Sequence, residues 1–355
     1  MQTKTIERAR LADVAKAAGV SQGTVSNVFN RPELVREEVR QHVRSVADAL
    51  GYRGADPKGR LLRGGKVNAI GVATLEPLSY FFEDPFAREL MAGMAAASDA
   101  AGAGLALVSA KNREKLAWNI ESAIVDGFVL LCIEGGEELV ALTRERRLPF
   151  VALALGKPDL TISAIGIDDA AGARLAAEHL AGLGHRRFGI LAMDFVDERS
   201  GPATMAEVDA ALYTSARDRV YGYFDVLRAY GIDTAAIPIF ETRNDRATTI
   251  AGLDYIFAQT VPPTALLCMS DRMALIALDW LKARGLSVPG DVSIVGFDGV
   301  PEAALSTPPL TTVAQPIAEL GRRAVEFILE HDGTARRQIL PVELVVRTST
   351  APPPG

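Results

Sequence analysis

From Asn68 onward the chain alternates short, unbroken apolar runs with amphipathic stretches, and this alternation limits the possible folds more than any other feature. The runs are NAIGVA, LALVSA, GFVLLCI, PFVALAL, FGILAM, IPIF, ALLCMS and VSIVGFD. Most are separated by helical patterns, at Ala87–Ala101, Ala170–Leu183, Arg217–Tyr230, Asp245–Gln259 and Arg272–Arg284. A strand that is apolar on both faces must be covered on both, as in a parallel sheet with helices packed on either side. The runs are too many for one comfortable open sheet. The expectation is therefore an α/β body with two parallel sheets in two lobes. At 355 residues, 48% hydrophobic and 23% charged, the chain has ordinary globular composition and suits two or three domains.

The first fifty residues read differently. Leu11, Val14, Ala15 and Ala18 recur at i, i+3, i+4 and i+7, one face of a short helix. Gly19 follows as a C-cap, Val20 can plug a core, and Ser21 can N-cap a second helix whose inward face is Val25 and Val28. A third pattern, Arg36 to Leu50, places Val39, Val43, Val46 and Leu50 on one face and ends at Gly51. Three short helices with a tight Gly-containing turn between the first two make an all-α helix-turn-helix module. The second helix exposes Ser21, Gln22, Thr24, Ser26 and Asn27 where charged residues are usual. Small polar side chains suit a helix that enters a major groove about 12 Å wide and reaches base edges.

The charge agrees with that reading. The net charge of −6 conceals 13 Lys and Arg against 7 Asp and Glu in residues 1–66, and 25 against 37 in the remainder. A basic head on an acidic body suits contact with a polyanion. Between the two, GYRGADPKGRLLRGGKVNAIGVA is dense in Gly and Pro and reads as a linker that forms a helical turn or two only when stabilised.

Other classes fare worse. No apolar run approaches the ~20 residues of a membrane span. The opening MQTKTIERARLADV has no apolar signal core, so a cytoplasmic location is expected. Cys132 and Cys268 each sit inside an apolar run and read as buried thiols. There is no G-x-x-x-x-G-K-[ST] phosphate loop, and Gly102-Ala103-Gly104 lacks a third glycine in phase. His179 and His185 fit no common zinc spacing. No enzyme activity, metal or cofactor is expected. The competing class is an exported solute-binding protein with the same two-lobed body, against which the missing signal and the basic head both argue.

These segments resemble the lactose-repressor (LacI/GalR) family of bacterial transcription regulators along nearly the whole chain. DVAKAAGVSQGTVSNVFN is similar to the family's DVAxxAGVSxxTVSxVxN, and AAEHLAGLGHRRFGIL, CMSDRMALIAL, GLSVPGDVSIVGFD and PPLTTVAQP are similar to its core blocks. The resemblance implies a headpiece at 1–54, a hinge at 55–67 and a periplasmic-binding-protein-like body at 68–355. Within the body it implies an N-lobe at 68–166 and 299–330 and a C-lobe at 167–298 and 331–355. It further implies a homodimer on a palindromic double-stranded DNA operator, most often as a repressor. A small effector, a sugar or sugar-like metabolite with a nucleoside second, would sit between the lobes and change DNA affinity. The departures are Gly23 and Asn27 in the recognition helix, a linker one residue longer, Ala154 where many relatives carry Asp, and the long stretch Asp194–Arg217.

On this reading Ser21, Gln22, Gly23, Thr24, Ser26, Asn27 and Asn30 form the DNA face. Gln22 and Asn27 take the base-reading role, and Thr24 and Ser26 hold phosphates. GRLLRGG looks like the family hinge ARxLRxG. It aligns Leu62 with the leucine that enters the central base step, flanked by Arg60 and Arg63, with Leu61 as substitute. For the effector, the family position of Arg219 points a guanidinium into the cleft, and Gln315 follows a crossover segment. Asp298 ends a strand where parallel sheets collect ligands, or else caps the next turn. Ser270 and Asp271 end ALLCMS in the same way, Asp271 being either a cleft carboxylate or an N-cap. Tyr80, Phe82 and Phe86 are aromatic walls or core. Arg219 and Asp298 are expected to pair, one from each side of the crossover. The tail VVRTSTAPPPG has no apolar heptads, so a dimer and nothing larger is expected.

Overall fold

The computed structural model describes residues 9–52, 66–131, 136–153, 159–196 and 199–354. It divides into two compact units, residues 1–67 and 68–355.

The first unit is three helices, α1 (Leu11–Ala18), α2 (Gln22–Asn30) and α3 (Glu37–Ala49), with a 3-10 turn at Pro32–Leu34. Gly19 adopts φ 64°, a left-handed conformation that closes α1, and Ser21 Oγ accepts from Thr24 N at 3.0 Å to open α2. Val14, Ala15, Ala18, Val25, Val28, Val43 and Ala47 are buried together. Leu50 is not the inward residue expected of it and is 41% exposed. The helix stops at Ala49 and Gly51 turns the chain at φ 67°, so Tyr52 fills that place, packed edge-on against Phe29 with centroids 5.4 Å apart.

The second unit is an α/β body with two sheets, as the alternation requires. The first sheet contains β1 (Ala69–Thr74), β2 (Gly104–Ser109), β3 (Gly127–Leu131), β4 (Phe150–Leu153), β5 (Ser163–Ile167) and β12 (Arg337–Leu340), in the order β12-β5-β4-β3-β1-β2. Every pairing in it is parallel. The second contains β6 (Phe188–Ala192), β7 (Gly201–Ala203), β8 (Ile239–Glu241), β9 (Ala265–Cys268), β10 (Ser293–Asp298), β11 (Thr311–Ala314) and β13 (Glu343–Val345). Their order is β13-β11-β10-β9-β6-β8-β7, and the edge strands β7 and β13 run antiparallel. The distinctive stretch after Asp194 thus becomes an extra edge strand and the short helix α9 (Met205–Asp209).

The lobe boundaries differ from those implied by the resemblance. β11 belongs to the second sheet and β12 to the first, so residues 299–330 and 331–355 are each shared. Only α14 (Ile317–Leu329) of the first segment covers the first sheet, packing on α5 (Pro85–Ala100) and β4. The chain crosses between sheets after β5, after β11 and again after β12, because β12 adds in parallel beside β5 before β13 returns.

On the second sheet, α8 (Asp169–Gly182) and α10 (Thr214–Ala229) lie against each other so closely that a Cβ on Gly222 would stand 2.3 Å from the Ala170 carbonyl oxygen. No other residue type permits this approach, and it sets where the first turns of both helices point.

Candidate functional site

In α2, Gln22 and Gly23 are exposed, while Thr24, Ser26 and Asn27 are half-buried. The hydroxyls of Ser21 and Thr24 are bonded to each other at 2.9 Å. Ser21 is therefore first a helix cap, and Gln22 is the longest exposed polar side chain at the start of the helix. The side chain of Asn30 and the residues Arg60, Leu62 and Arg63 lie outside the described residues.

The body holds a cavity of about 470 Å³ bounded by both sheets. It lies at the carboxyl ends of parallel strands, where helix N-termini and loop side chains converge. Leu131 and Leu153 close strands of the first sheet on one wall, and Ser270 and Asp298 sit at the ends of β9 and β10 on the other. Tyr80, Phe86, Arg219, Ser270, Asp298 and Gln315 all line it. Phe82 does not; it is 67% exposed, because the short helix α4 (Tyr80–Glu83) turns Phe81 into the core instead. A larger but more open hollow of about 590 Å³ lies elsewhere, beside Trp280 and Pro262. The smaller cavity has the converging polar groups that a ligand needs.

Asp271 is neither a cleft carboxylate nor the N-cap of α12 (Asp271–Ala283). The cap is Ser270, whose Oγ accepts from Met273 N at 3.1 Å and donates to Asn244 Oδ1 at 2.6 Å. Asp271 is fully buried and ties β10 to β11, accepting from Gly299 N at 2.7 Å, Val300 N at 2.9 Å and Thr312 Oγ1 at 2.6 Å.

Arg219 and Asp298 both come from the second lobe, not from opposite sides, and they do not form the expected ion pair. Arg219 is 5% exposed; its Nε donates to Asp169 Oδ1 at 2.8 Å, and another N–H donates to the Met269 carbonyl. Its guanidinium also stacks on Phe297, 3.6 Å from the ring centroid. Asp298 accepts instead from Gln315 Nε2 at 2.8 Å. Burial raises its pKa well above the carboxylate range, with nearby Arg219 pulling it back. Asp298 also has φ 123°, which for a non-glycine residue costs on the order of 1–3 kcal/mol and is concentrated at functional sites.

Sequence reasoning missed several lining residues: Asp84, Asp168, Asp169, Asp218, Asn244 and Arg337 among them. Asp84 was detectable as a Ser/Asp-type cap before Pro85, and its Oδ1 does accept from Ala87 N at 3.2 Å. Its Oδ2 reaches across the cleft to Asn244 Nδ2 at 3.2 Å and Arg272 at 3.4 Å. Arg88 and Glu302 form a second ion pair between the lobes.

Both histidines of the HLAGLGH segment bind the C-terminal tail. His185 is bonded to Thr264 Oγ1 and the Ala351 carbonyl, each at 2.9 Å, and His179 to Thr350 at 2.9 Å. Among the described residues no group of His, Cys, Asp and Glu is arranged to hold a metal ion. Among them, too, no helix is long and apolar enough to cross a membrane.

Comparison with known proteins decides the family. Residues 10–54 match the family described as bacterial regulatory proteins, lacI family, and residues 177–350 match a periplasmic binding protein-like domain. An HTH-type transcriptional regulator of Mycobacterium tuberculosis is 38% identical over 355 residues, covering 98% of each chain. The chain belongs to the lacI family. It is a helix-turn-helix transcriptional regulator with an effector-binding domain, and not an enzyme. The repressor CytR of Escherichia coli is 31% identical over 358 residues, covering 96% of each chain. Among solved structures, a lac repressor dimer bound to operator and the anti-inducer ONPF aligns with TM-score 0.77 at 27% identity, covering 97% of this chain and all of that one. A LacI-family regulator from Corynebacterium glutamicum aligns with TM-score 0.74 at 30% identity, covering 98% of this chain and all of that one.

Proposed function

We propose that this lacI-family regulator is a cytoplasmic repressor that binds a palindromic operator as a dimer. Its DNA affinity is set by a sugar or sugar-like metabolite, with a nucleoside as the second class, held in the cleft of the body. The observation that carries this reading is the cavity of about 470 Å³ in which Tyr80, Phe86 and Leu320 offer apolar walls and Ser270, Asn244, Gln315 and Asp298 offer aimed polar groups. That combination suits a ring with hydroxyls along its edge. A solved regulator named CelR, 27% identical at TM-score 0.69, is described as a cellobiose complex. The lac repressor comparison gives the dimer and the operator as precedent. The test is a thermal-shift screen of sugars, polyols and nucleosides, followed by gel shift with each hit. A specific binder at 100 times its Kd should add about 2.7 kcal/mol of stability and change operator affinity. A binder that leaves salt-sensitive DNA binding absent altogether would return the protein to the solute-binding class.

A further inference from the structure

We propose that the effector carries no anionic group: the cleft takes a neutral or amino form of its ligand and refuses the phosphate ester or carboxylate. This rests on the reading of the cleft as the effector site and narrows the class of molecule it admits. Among the described residues lining the cavity are five aspartates, Asp84, Asp168, Asp169, Asp218 and Asp298, and two arginines, Arg219 and Arg337. An anion site needs spare guanidinium forks or open N–H groups at a helix N-terminus. Arg219 is already held by Asp169 and the Met269 carbonyl, and Arg337 donates to the Asp159 carbonyl at 2.9 Å. Two further arginines just behind the lining are held as well, Arg217 by Asp218 at 2.9 Å and Arg272 by Asp84 at 3.4 Å. With these included, carboxylates still outnumber guanidinium groups by five to four.

Three helix N-termini facing the cleft carry a side-chain cap, and α10, which has none, places Asp218 in its second turn beside the cavity. Asp84 caps α5 through Ala87 N, Asp168 caps α8 through Ala171 N at 2.8 Å, and Ser270 caps α12 through Met273 N. A phosphate entering here would lie among more carboxyl groups than guanidinium groups, and pairing it with Arg219 would break an existing ion pair. Hydroxyl and ammonium groups meet the opposite situation, because carboxylates accept hydrogen bonds and ionised ones cannot donate. Burial raises the pKa of Asp84, Asp169 and Asp298, and a donor placed against them relieves that burial where an anion would deepen it.

The test uses the full-length protein and a small-molecule extract of the organism that makes it, split on an anion-exchange resin. The desalted flow-through holds neutral and cationic compounds, and the eluate holds phosphates and carboxylates. The expected result is a thermal shift from the flow-through that is lost in Asn244→Ala. The phosphate ester of the isolated compound should then bind on the order of 100-fold more weakly. A shift from the eluate, lost in Asn244→Ala, overturns the charge selection and leaves the cleft as the effector site. A shift from neither fraction, or one unchanged in Asn244→Ala, overturns the reading of the cleft itself.

Discussion

Arg219 donates its Nε–H to Asp169 at 2.8 Å, while Asp298 is bonded by Gln315. The pair is therefore made between α8 and α10 inside one lobe. Its side chains are 6% and 18% exposed, so each charge depends on the other. Arg219→Ala should cost about 3–5 kcal/mol in chemical denaturation by leaving Asp169 buried and unpaired. Arg219→Ala combined with Asp169→Ala should cost less than the sum of the single changes by at least about 1 kcal/mol. Additivity within about 0.5 kcal/mol would show that the two charges are not coupled.

Gly222 does not itself line the cleft, yet it sets the spacing of these helices. Gly222→Ala must push α10 from the Ala170 carbonyl, one turn from Arg219 and beside Asp169. The cost should be about 1–3 kcal/mol, and effector affinity should fall with it. A variant that loses stability but keeps full affinity by calorimetry would show that Arg219 is positioned some other way.

The sheets and their helices were legible because continuous apolar runs such as FGILAM and VSIVGFD, separated by amphipathic stretches, leave few alternatives. What escaped was β5, β7, β11, β12 and β13, where SAIGI, GPA, TTVA, RQIL and ELV are short, lack a continuous run of large apolar residues and take strand form beside a neighbour whose edge is open. The lobe boundaries failed for the same reason. In the cleft, strand-end residues such as Asp298 and Ser270 announced themselves by position. Asp169 and Asn244 did not, since their roles depend on helices and loops distant in sequence that meet only in the folded body.

His185 gives the body an acid sensitivity of definite sign. Burial lowers its pKa below the ordinary value, the Ala351 carbonyl opposing this and nearby His179 adding to it. Above about pH 6.5 both folded and unfolded states hold it neutral. As pH falls below that, the unfolded chain takes up a proton that the folded one refuses, and stability declines until the lowered folded value is reached. The buried aspartates act with the opposite sign, favouring the folded state as protons are added. The comparison is thus between wild type and His185→Gln, whose denaturation midpoints should converge as pH is lowered from 7 to 5. Parallel pH profiles would remove His185 from the acid response.

Gln22→Ala should relax preference at one base pair per half-site by about 1–3 kcal/mol, measured on a set of single-base operator variants. A uniform loss on operators and random DNA would make Gln22 a backbone contact.

Leu62, outside the described residues, is proposed as a minor-groove wedge. Leu62→Ala should lose operator-specific affinity and DNA bending while Leu61→Ala keeps both; equal bending in both variants would exclude the wedge.

The exchange of strands between the sheets has a consequence for how the protein is made. The first sheet waits for β12 at Arg337–Leu340 and the second for β13 at Glu343–Val345, so each gains its final strand only after every other strand of both sheets has been made. Until then β5 and β11 each present an open edge, on strands whose apolar neighbours would pair with any chain nearby. Neither lobe can be completed by a contiguous fragment, and a premature stop anywhere before β12 spoils both at once. A chain cut short before Arg337 therefore carries two unfinished lobes and no finished one.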